Sequence, residues 1–374
     1  MRTWRKPPKR APRRRRRRKP READDVATFE VALSGDFRLP DGGAAYPSFD
    51  LGPLQANPDV RVRYVDPVDG VMPAAALEDV DALILLVPRF DATSVPKSGR
   101  LAVVARFGVG FDSVDVPVCT ANDIALVTTP DGVRRPVAVA ILTFILALAG
   151  RLMVKDQLVR QGPEGWAKRS ANMGMGLVGR TLGQLGIGNI GAEVFRIARP
   201  LDMRFIAFDP YADATVAATL GVELVDLETL FRESDFLSVS CPLNEQTRHI
   251  VNAERLALMK PTSFIINTAR GPVVDQRALH ETLKAKRIAG AGLDVFEVEP
   301  TPEGEPITTL DNVILAPHSL CWTDECFAGI GAADVAAVLA MMQGRVPRGI
   351  VNREITERAG WQAKLAALGK SFTG

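Results

Sequence analysis

Thr181-Leu182-Gly183-Gln184-Leu185-Gly186-Ile187-Gly188-Asn189-Ile190-Gly191 decides the fold. A short apolar run of strand length leads into Gly-x-Gly-x-x-Gly, and a helical pattern, Ile190–Arg199, follows. A glycine-rich turn alone is common. Between a strand and a helix, with an acid at the end of the next strand, it is a dinucleotide-binding fingerprint. That acid is Asp209, 18 residues after Gly191 and just beyond Phe205–Phe208. Gly186 permits the tight turn, Gly188 lets backbone approach a pyrophosphate, and Gly191 lets the helix pack close to the strand. The helix start offers unpaired N–H groups to the phosphates. A carboxylate at Asp209 accepts hydrogen bonds from ribose hydroxyls and repels a 2′-phosphate. Pro210 and Tyr211 follow it, with no Arg to welcome that phosphate. The expected cofactor is therefore NAD rather than NADP.

Outward from this loop, strand and helix patterns alternate from Thr181 to Pro317. The predicted strands are Thr181–Gly186, Arg204–Phe208, Phe236–Ser240, Ser263–Asn267, Gly290–Asp294 and Val313–Leu315. Asp226, Asn252 and Asp275 are the predicted helix N-caps. Such alternation implies an α/β fold with a doubly wound parallel sheet of Rossmann type. Upstream, Phe29–Leu33, Val60–Val65, Ala82–Leu86 and Leu101–Ala105 are further strand-length runs, with a helical stretch at Ala74–Glu78, so a smaller α/β unit precedes the loop. Pro130-Asp131-Gly132 reads as a turn, and Arg135-Pro136 as the opening of a helix at Val137. That helix is apolar nearly all round, which predicts burial between layers. Asp324–Met342 reads as one more helix, Pro347–Val351 as extended, and the end as weakly structured.

The chain has 374 residues and a net charge of +2. The charge is unevenly spread. Residues 1–20 hold 12 Lys or Arg and no acid, and the rest hold 34 basic and 44 acidic groups, a net of −10. The body thus lacks the basic footprint of a polyanion binder. The basic segment reads as disordered, and any nucleic-acid contact would belong to it alone. The longest near-continuous apolar run, Val137–Ala149, has 13 residues, below the roughly 17–25 of a membrane span. The four cysteines are too sparse for a disulfide scaffold and include no Cys-x-x-Cys pair. They point to reduced thiols in a cytoplasmic setting. His318 with Cys321 and Cys326 lacks a second ligand cluster, so no metal is expected.

Three histidines limit the choice of acid/base. His280 reads as a helix-face residue, and His249 lies near a loop with no adjacent acid. His318 follows the strand Val313–Leu315 at its C-terminal end, where ligands bind in open α/β sheets. Arg270, in Asn267–Gly271, and Glu299, in Asp294–Pro300, follow two other strands of the same sheet, so the three converge on one crevice. An imidazolium neutralises charge developing on a carbonyl oxygen. A carboxylate supports and orients it. A guanidinium holds a substrate carboxylate. This is the equipment for hydride exchange between a small 2-keto acid and its 2-hydroxy acid.

With these residues in place, the chain resembles the D-isomer-specific 2-hydroxyacid dehydrogenases over roughly Val26–Val351. The motifs are Gly179–Gly183 leading into the glycine loop, Cys241-Pro242-Leu243, Asn267–Gly271 and Gly292–Pro300. The resemblance implies catalytic Arg270, Glu299 and His318. It implies a cofactor site lined by Gly186, Gly188, Asn189, Ile190, Gly191, Asp209, Pro210, Cys241, Pro242, Thr247, Thr268, Ala269, Arg270, Asp294 and His318. The substrate carboxylate would be held at Phe107–Asp112 by the N–H groups of Val109 and Gly110, with Arg106 as an extra anion contact. The implied architecture is a NAD domain at 131–317 inserted into a smaller flavodoxin-like substrate domain formed by 26–130 and a return segment, 318–352. Residues 1–25 and 353–374 would be tails. The long helix from Val137 would serve a homodimer interface. Trp322, where many members carry a small-residue turn, would either cap the pocket or pack in the domain junction. The competing reading is a NAD-sensing, corepressor-like binding protein of the same fold. An L-specific dehydrogenase is disfavoured because the glycine loop lies behind a complete α/β unit.

Overall fold

The computed structural model describes residues 28–373. The Arg-rich segment at residues 1–25 lies outside them. Twelve strands form two sheets, both parallel throughout. The first sheet comprises β1 (Phe29–Ser34), β2 (Val60–Val65), β3 (Ala82–Leu85), β4 (Val103–Arg106) and β5 (Ala125–Thr128), in the order β2-β1-β3-β4-β5. That is the flavodoxin-like order. The second comprises β6 (Thr181–Leu185), β7 (Arg204–Phe208), β8 (Val222–Leu224), β9 (Phe236–Val239), β10 (Phe264–Asn267), β11 (Gly290–Leu293) and β12 (Val313–Leu315). Its order, β12-β11-β10-β9-β6-β7-β8, reverses between β6 and β9. The crevice at such a reversal is where a doubly wound sheet binds its ligand.

Each sheet has apolar clusters on both faces, which is why its inner strands read as continuous apolar runs rather than alternating ones. The predicted caps form: Asp226, Asn252 and Asp275 accept from the N–H groups of Thr229, Arg255 and Ala278.

Several expectations need correction. The long helix begins at Pro130, not Val137, and runs to Gly150. Pro130 occupies the first helical position, where its missing N–H costs nothing, so the apparent turn is the helix start. The helix is not buried all round: Val139 is 47% and Leu146 48% exposed, on one stripe with Thr143. Pro130–Gly150 and Asp324–Met342 are long and apolar enough to cross a membrane, yet half or more of each apolar window is buried inside the protein. β5 and the short edge strand β8 were not foreseen. β4 starts two residues later than expected, which places Arg106 at its C-terminal end.

The end is also structured. After the Asp324–Met342 helix, Ile350 bridges Val127 of β5, and Asn352 Oδ1 accepts from the Leu126 N–H at 2.9 Å. A final helix, Ala359–Thr373, inserts Trp361, 1% exposed, into the core of the first sheet. The indole Nε1 donates to the Ala102 carbonyl at 3.3 Å. Residues read as a tail are therefore part of the smaller unit's core. The chain leaves that unit along the Pro130–Gly150 helix and returns after β12, so the cleft lies between the C-terminal ends of both sheets.

Candidate active site

The glycine loop has the shape its sequence implied. Gly186 takes φ +97, and a Cβ there would stand 3.0 Å from the Cys241 backbone nitrogen. Gly186 thus brings β6 against the Cys241-Pro242 turn. A Cβ at Gly191 would meet the Gly186 carbonyl at 2.3 Å, whereas at Gly188 it would meet nothing within 4 Å. The Asn189–Ala198 helix starts with no side-chain cap. Its first N–H groups therefore face an open cradle suited to a pyrophosphate. Asp209 accepts from the Ile187 N–H through Oδ2 and from the Tyr211 N–H through Oδ1, both at 2.9 Å. These bonds fix the carboxylate at the mouth of the loop. Thr247 closes the Cys241–Thr247 turn, donating to the Pro242 carbonyl at 2.6 Å. Thr268 and Ala269 lie half-buried after β10, where Asn267 Oδ1 accepts from the Ala269 N–H and its Nδ2 donates to the Arg270 carbonyl, both at 3.0 Å. The buried Asn267 thus shapes the turn that aims Arg270, a task the sequence did not reveal.

His318 and Glu299 meet. The Nδ1 of His318 lies 2.7 Å from Oε2 of Glu299, and the side chains are 46% and 34% exposed. Burial would raise the Glu299 carboxyl, but the His318 hydrogen bond, the Phe296 N–H, and the charges of His318 and Arg270 outweigh it. They hold the group below its ordinary range. With Nδ1 engaged, Nε2 is left for a ligand. His318 itself sits at φ +54, a left-handed conformation unusual for a side chain of this size. The buried Asp294 secures it. Its Oδ1 accepts from the Ser319 N–H at 2.9 Å and the Leu320 N–H at 3.1 Å. Burial raises the Asp294 carboxyl, and these two donors and His318 only partly offset that. Asp294, expected at the cofactor, clamps the His318 turn.

Arg270 crosses the cleft. Its Nε donates to Asp112 Oδ2 at 2.7 Å and its Nη1 to the Ala269 carbonyl at 2.6 Å. Burial would raise Asp112, but the charge and hydrogen bond of Arg270 prevail and lower it. The Phe107–Asp112 loop follows β4. Gly108 is pinned by Thr129, whose hydroxyl lies 3.0 Å from the Gly108 nitrogen and whose N–H donates to the Gly108 carbonyl at 2.9 Å. Among the described residues, no hydrogen bond is made by the N–H of Val109 or Gly110. Gly110 carries no side chain because Arg270 lies against it: a Cβ would fall 1.4 Å from Nη2. The segments after β4 and β10 thus set a guanidinium beside two N–H groups, and the charge of Arg270 reaches Glu299, the partner of His318 after β12.

Trp322 packs edge-on to Tyr46 at 5.6 Å and Phe327 at 5.4 Å, and stays 43% exposed. It belongs to an aromatic cluster in which Phe107, at the start of the Phe107–Asp112 loop, packs against Phe327 at 5.4 Å. The other histidines lie apart from His318 in their bonding. His280 sits on the Gln276–Lys284 helix as expected. His249, read as lacking an acid, bonds Glu297 Oε1 through Nε2 at 2.8 Å. That partner is 48 residues away in sequence, and only folding brings it near.

A sequence model of the D-isomer specific 2-hydroxyacid dehydrogenase NAD binding domain matches residues 142–319. A glyoxylate reductase of Korarchaeum cryptofilum is 39% identical over 283 residues, covering 75% of this chain and 85% of that protein. A D-3-phosphoglycerate dehydrogenase of Methanocaldococcus jannaschii is 36% identical over 297 residues, covering 78% of this chain and 56% of that protein. Among solved structures, the holo form of Rhodotorula graminis D-mandelate dehydrogenase superposes with a TM-score of 0.74 at 25% identity, covering 87% of this chain and 98% of that one.

Proposed function

Because the chain belongs to the D-isomer-specific 2-hydroxyacid dehydrogenase family, we propose that it is an NADH-dependent reductase of a small 2-keto acid of glyoxylate's class. The family makes it an oxidoreductase that interconverts keto and hydroxy acids with a nicotinamide dinucleotide. The proposal concerns the substrate, the choice of NAD and the residues. One observation carries it: the 2.7 Å His318–Glu299 pair at the sheet end, opposite Arg270 and the free N–H groups of Val109 and Gly110.

The nicotinamide, when bound, supplies the hydride. The Val109 and Gly110 N–H groups and Arg270 hold the substrate carboxylate and turn the keto carbon toward the sheet. His318 donates a proton from Nε2 to the carbonyl oxygen as negative charge develops there, and Glu299 stabilises the imidazolium through Nδ1. In the oxidative direction His318 accepts that proton. The cleft between the two sheets keeps water from this space when it closes. The glycine loop and the open start of the Asn189–Ala198 helix would hold the pyrophosphate, and Asp209 the ribose hydroxyls. A 2′-phosphate would meet the Asp209 charge, which supports NAD over NADP.

The stripe of Val139 and Leu146, continued by the exposed Leu152 and Met153, supports a second copy of this chain as its cover. Sedimentation should give a dimer, and Leu146→Glu should dissociate it. The activity test is loss of NADH absorbance with glyoxylate, hydroxypyruvate, pyruvate, 2-oxoglutarate, phenylpyruvate and 3-phosphohydroxypyruvate. Turnover of the smallest acids, with kcat/KM higher for NADH than NADPH, is expected. Binding of NADH without turnover of any of them would contradict the proposal.

A further inference from the structure

A second guanidinium stands at the substrate loop. Arg106 ends β4, and its only hydrogen bond among the described residues runs from Nη1 to the Phe107 carbonyl. Its Nε is buried and has no hydrogen-bond partner among the described residues. Arg270 is ion-paired with Asp112, whereas Arg106 enters no ion pair among the described residues. The Asp324–Met342 helix packs on β4 and carries Asp334. Asp334 is 0% exposed, and neither carboxyl oxygen has a hydrogen-bond partner among the described residues. Its neighbours along that face, Ile330, Gly331, Val335 and Val338, are buried. An acid placed there loses solvation that hydrocarbon would not need, so packing does not explain it.

The elements packed on this helix carry few charges. The Pro130–Gly150 helix brings Asp131, Arg134 and Arg135, the Ala359–Thr373 helix brings Lys364 and Lys370, and β4 brings Arg106. β5 and the Gly52–Gln55 helix bring none. Of these, Arg106 is the group whose charge acts on Asp334. Burial pushes the Asp334 carboxyl well above the ordinary range, and Arg106 draws it back only in part. Burial and the neighbouring Arg270 lower Arg106 to about 10, so it stays charged near neutrality.

We propose that Asp334 is a positioning residue for Arg106 that sets how much of the guanidinium charge the substrate meets. The inference rests on reading the cleft as a 2-keto acid site. As the neutral acid, Asp334 adds nothing to the charges of Asp112 and Asp36 that act on Arg106, and more of the guanidinium charge is left for the substrate carboxylate. As the carboxylate it takes that charge for itself. Affinity for an anionic substrate therefore falls as pH rises through the Asp334 titration, and binding an anion favours the protonated acid.

The test uses oxamate, an unreactive carboxylate analogue, titrated into the protein with NADH bound and read by NADH fluorescence, from about pH 6 to about pH 9. The contribution of His318 is common to all variants and cancels in ratios. Arg106→Met should weaken oxamate by about tenfold or more at low pH, the scale of a lost charge-assisted bond. Asp334→Asn should match the wild type at low pH and bind several-fold tighter than it at high pH. In the Arg106→Met background it should change nothing. If Asp334→Asn does not fold, the ratio of Arg106→Met to wild-type Kd still decides, because it must shrink as pH rises. A ratio constant across pH, or normal oxamate affinity in Arg106→Met, overturns the inference. Wild-type protein that binds NADH but no oxamate overturns the 2-keto acid reading itself.

Discussion

Gly110 offers the sharpest test of how the two halves of the cleft cooperate. Substituting Gly110→Ala places a Cβ 1.4 Å from Arg270 Nη2, 2.7 Å from Cζ and 3.3 Å from Nη1. Ordinary contact needs about 3.5 Å or more, so the guanidinium must retreat by roughly 2 Å. The far end of a flexible side chain gives way more readily than backbone, so the fold should survive. Retreat breaks the geometry set by Asp112 and the Ala269 carbonyl and removes the fork from its place over the loop. Losing one charge-assisted bond to the substrate carboxylate costs about 1.5–3 kcal/mol, or roughly 10- to 150-fold in kcat/KM. The assay is NADH oxidation with glyoxylate, beside NADH affinity by fluorescence and thermal melting, which should both stay at wild-type values. Combining Gly110→Ala with Arg270→Met should add little beyond Arg270→Met alone, since both act through one side chain. Unchanged kcat/KM, or fully additive losses, would refute the reasoning.

Other expectations are equally concrete. Asp209→Asn removes the charge proposed to face the ribose, so the ratio of kcat/KM for NADPH to that for NADH should rise severalfold or more; a fixed ratio would take cofactor choice away from Asp209. Glu299→Gln removes the carboxylate that bonds Nδ1 of His318, so kcat for reduction should fall by about tenfold or more while NADH binds as in the wild type. An unchanged kcat would take Glu299 out of the proton transfer. Trp361→Ala should cost about 3–5 kcal/mol in denaturant unfolding, because the indole is 1% exposed in the first sheet's core. A loss below about 1 kcal/mol would return the final helix to the status of a tail.

Local signals carried much of the fold. The glycine loop, the caps at Asp226, Asn252 and Asp275, and the strands from Thr181 to Leu315 other than β8 declare themselves through neighbours in sequence. β5 was missed because Ala125–Thr128 is four residues long and ends two residues before Pro130, which looked like a turn. The final helix was missed because its evidence, Trp361 against Ala102, spans 259 residues. The same limit applies to the cleft. His318, Glu299 and Arg270 were legible because each ends a strand pattern. Their supports were not: Asp112 beneath Arg270, and Asn267 and Asp294 holding the turns, reveal those tasks only through contacts made on folding. Asp334 left one visible trace, a lone acid in the apolar stretch Ala332-Ala333-Asp334-Val335.

His318→Gln tests the central claim most directly. The amide keeps the size of the side chain but cannot exchange a proton at pH 7. The account predicts that kcat for keto acid reduction falls by about 10²- to 10⁴-fold, while NADH binds as in the wild type. A kcat close to the wild-type value would contradict the assignment of His318, and with it the reading of this cleft.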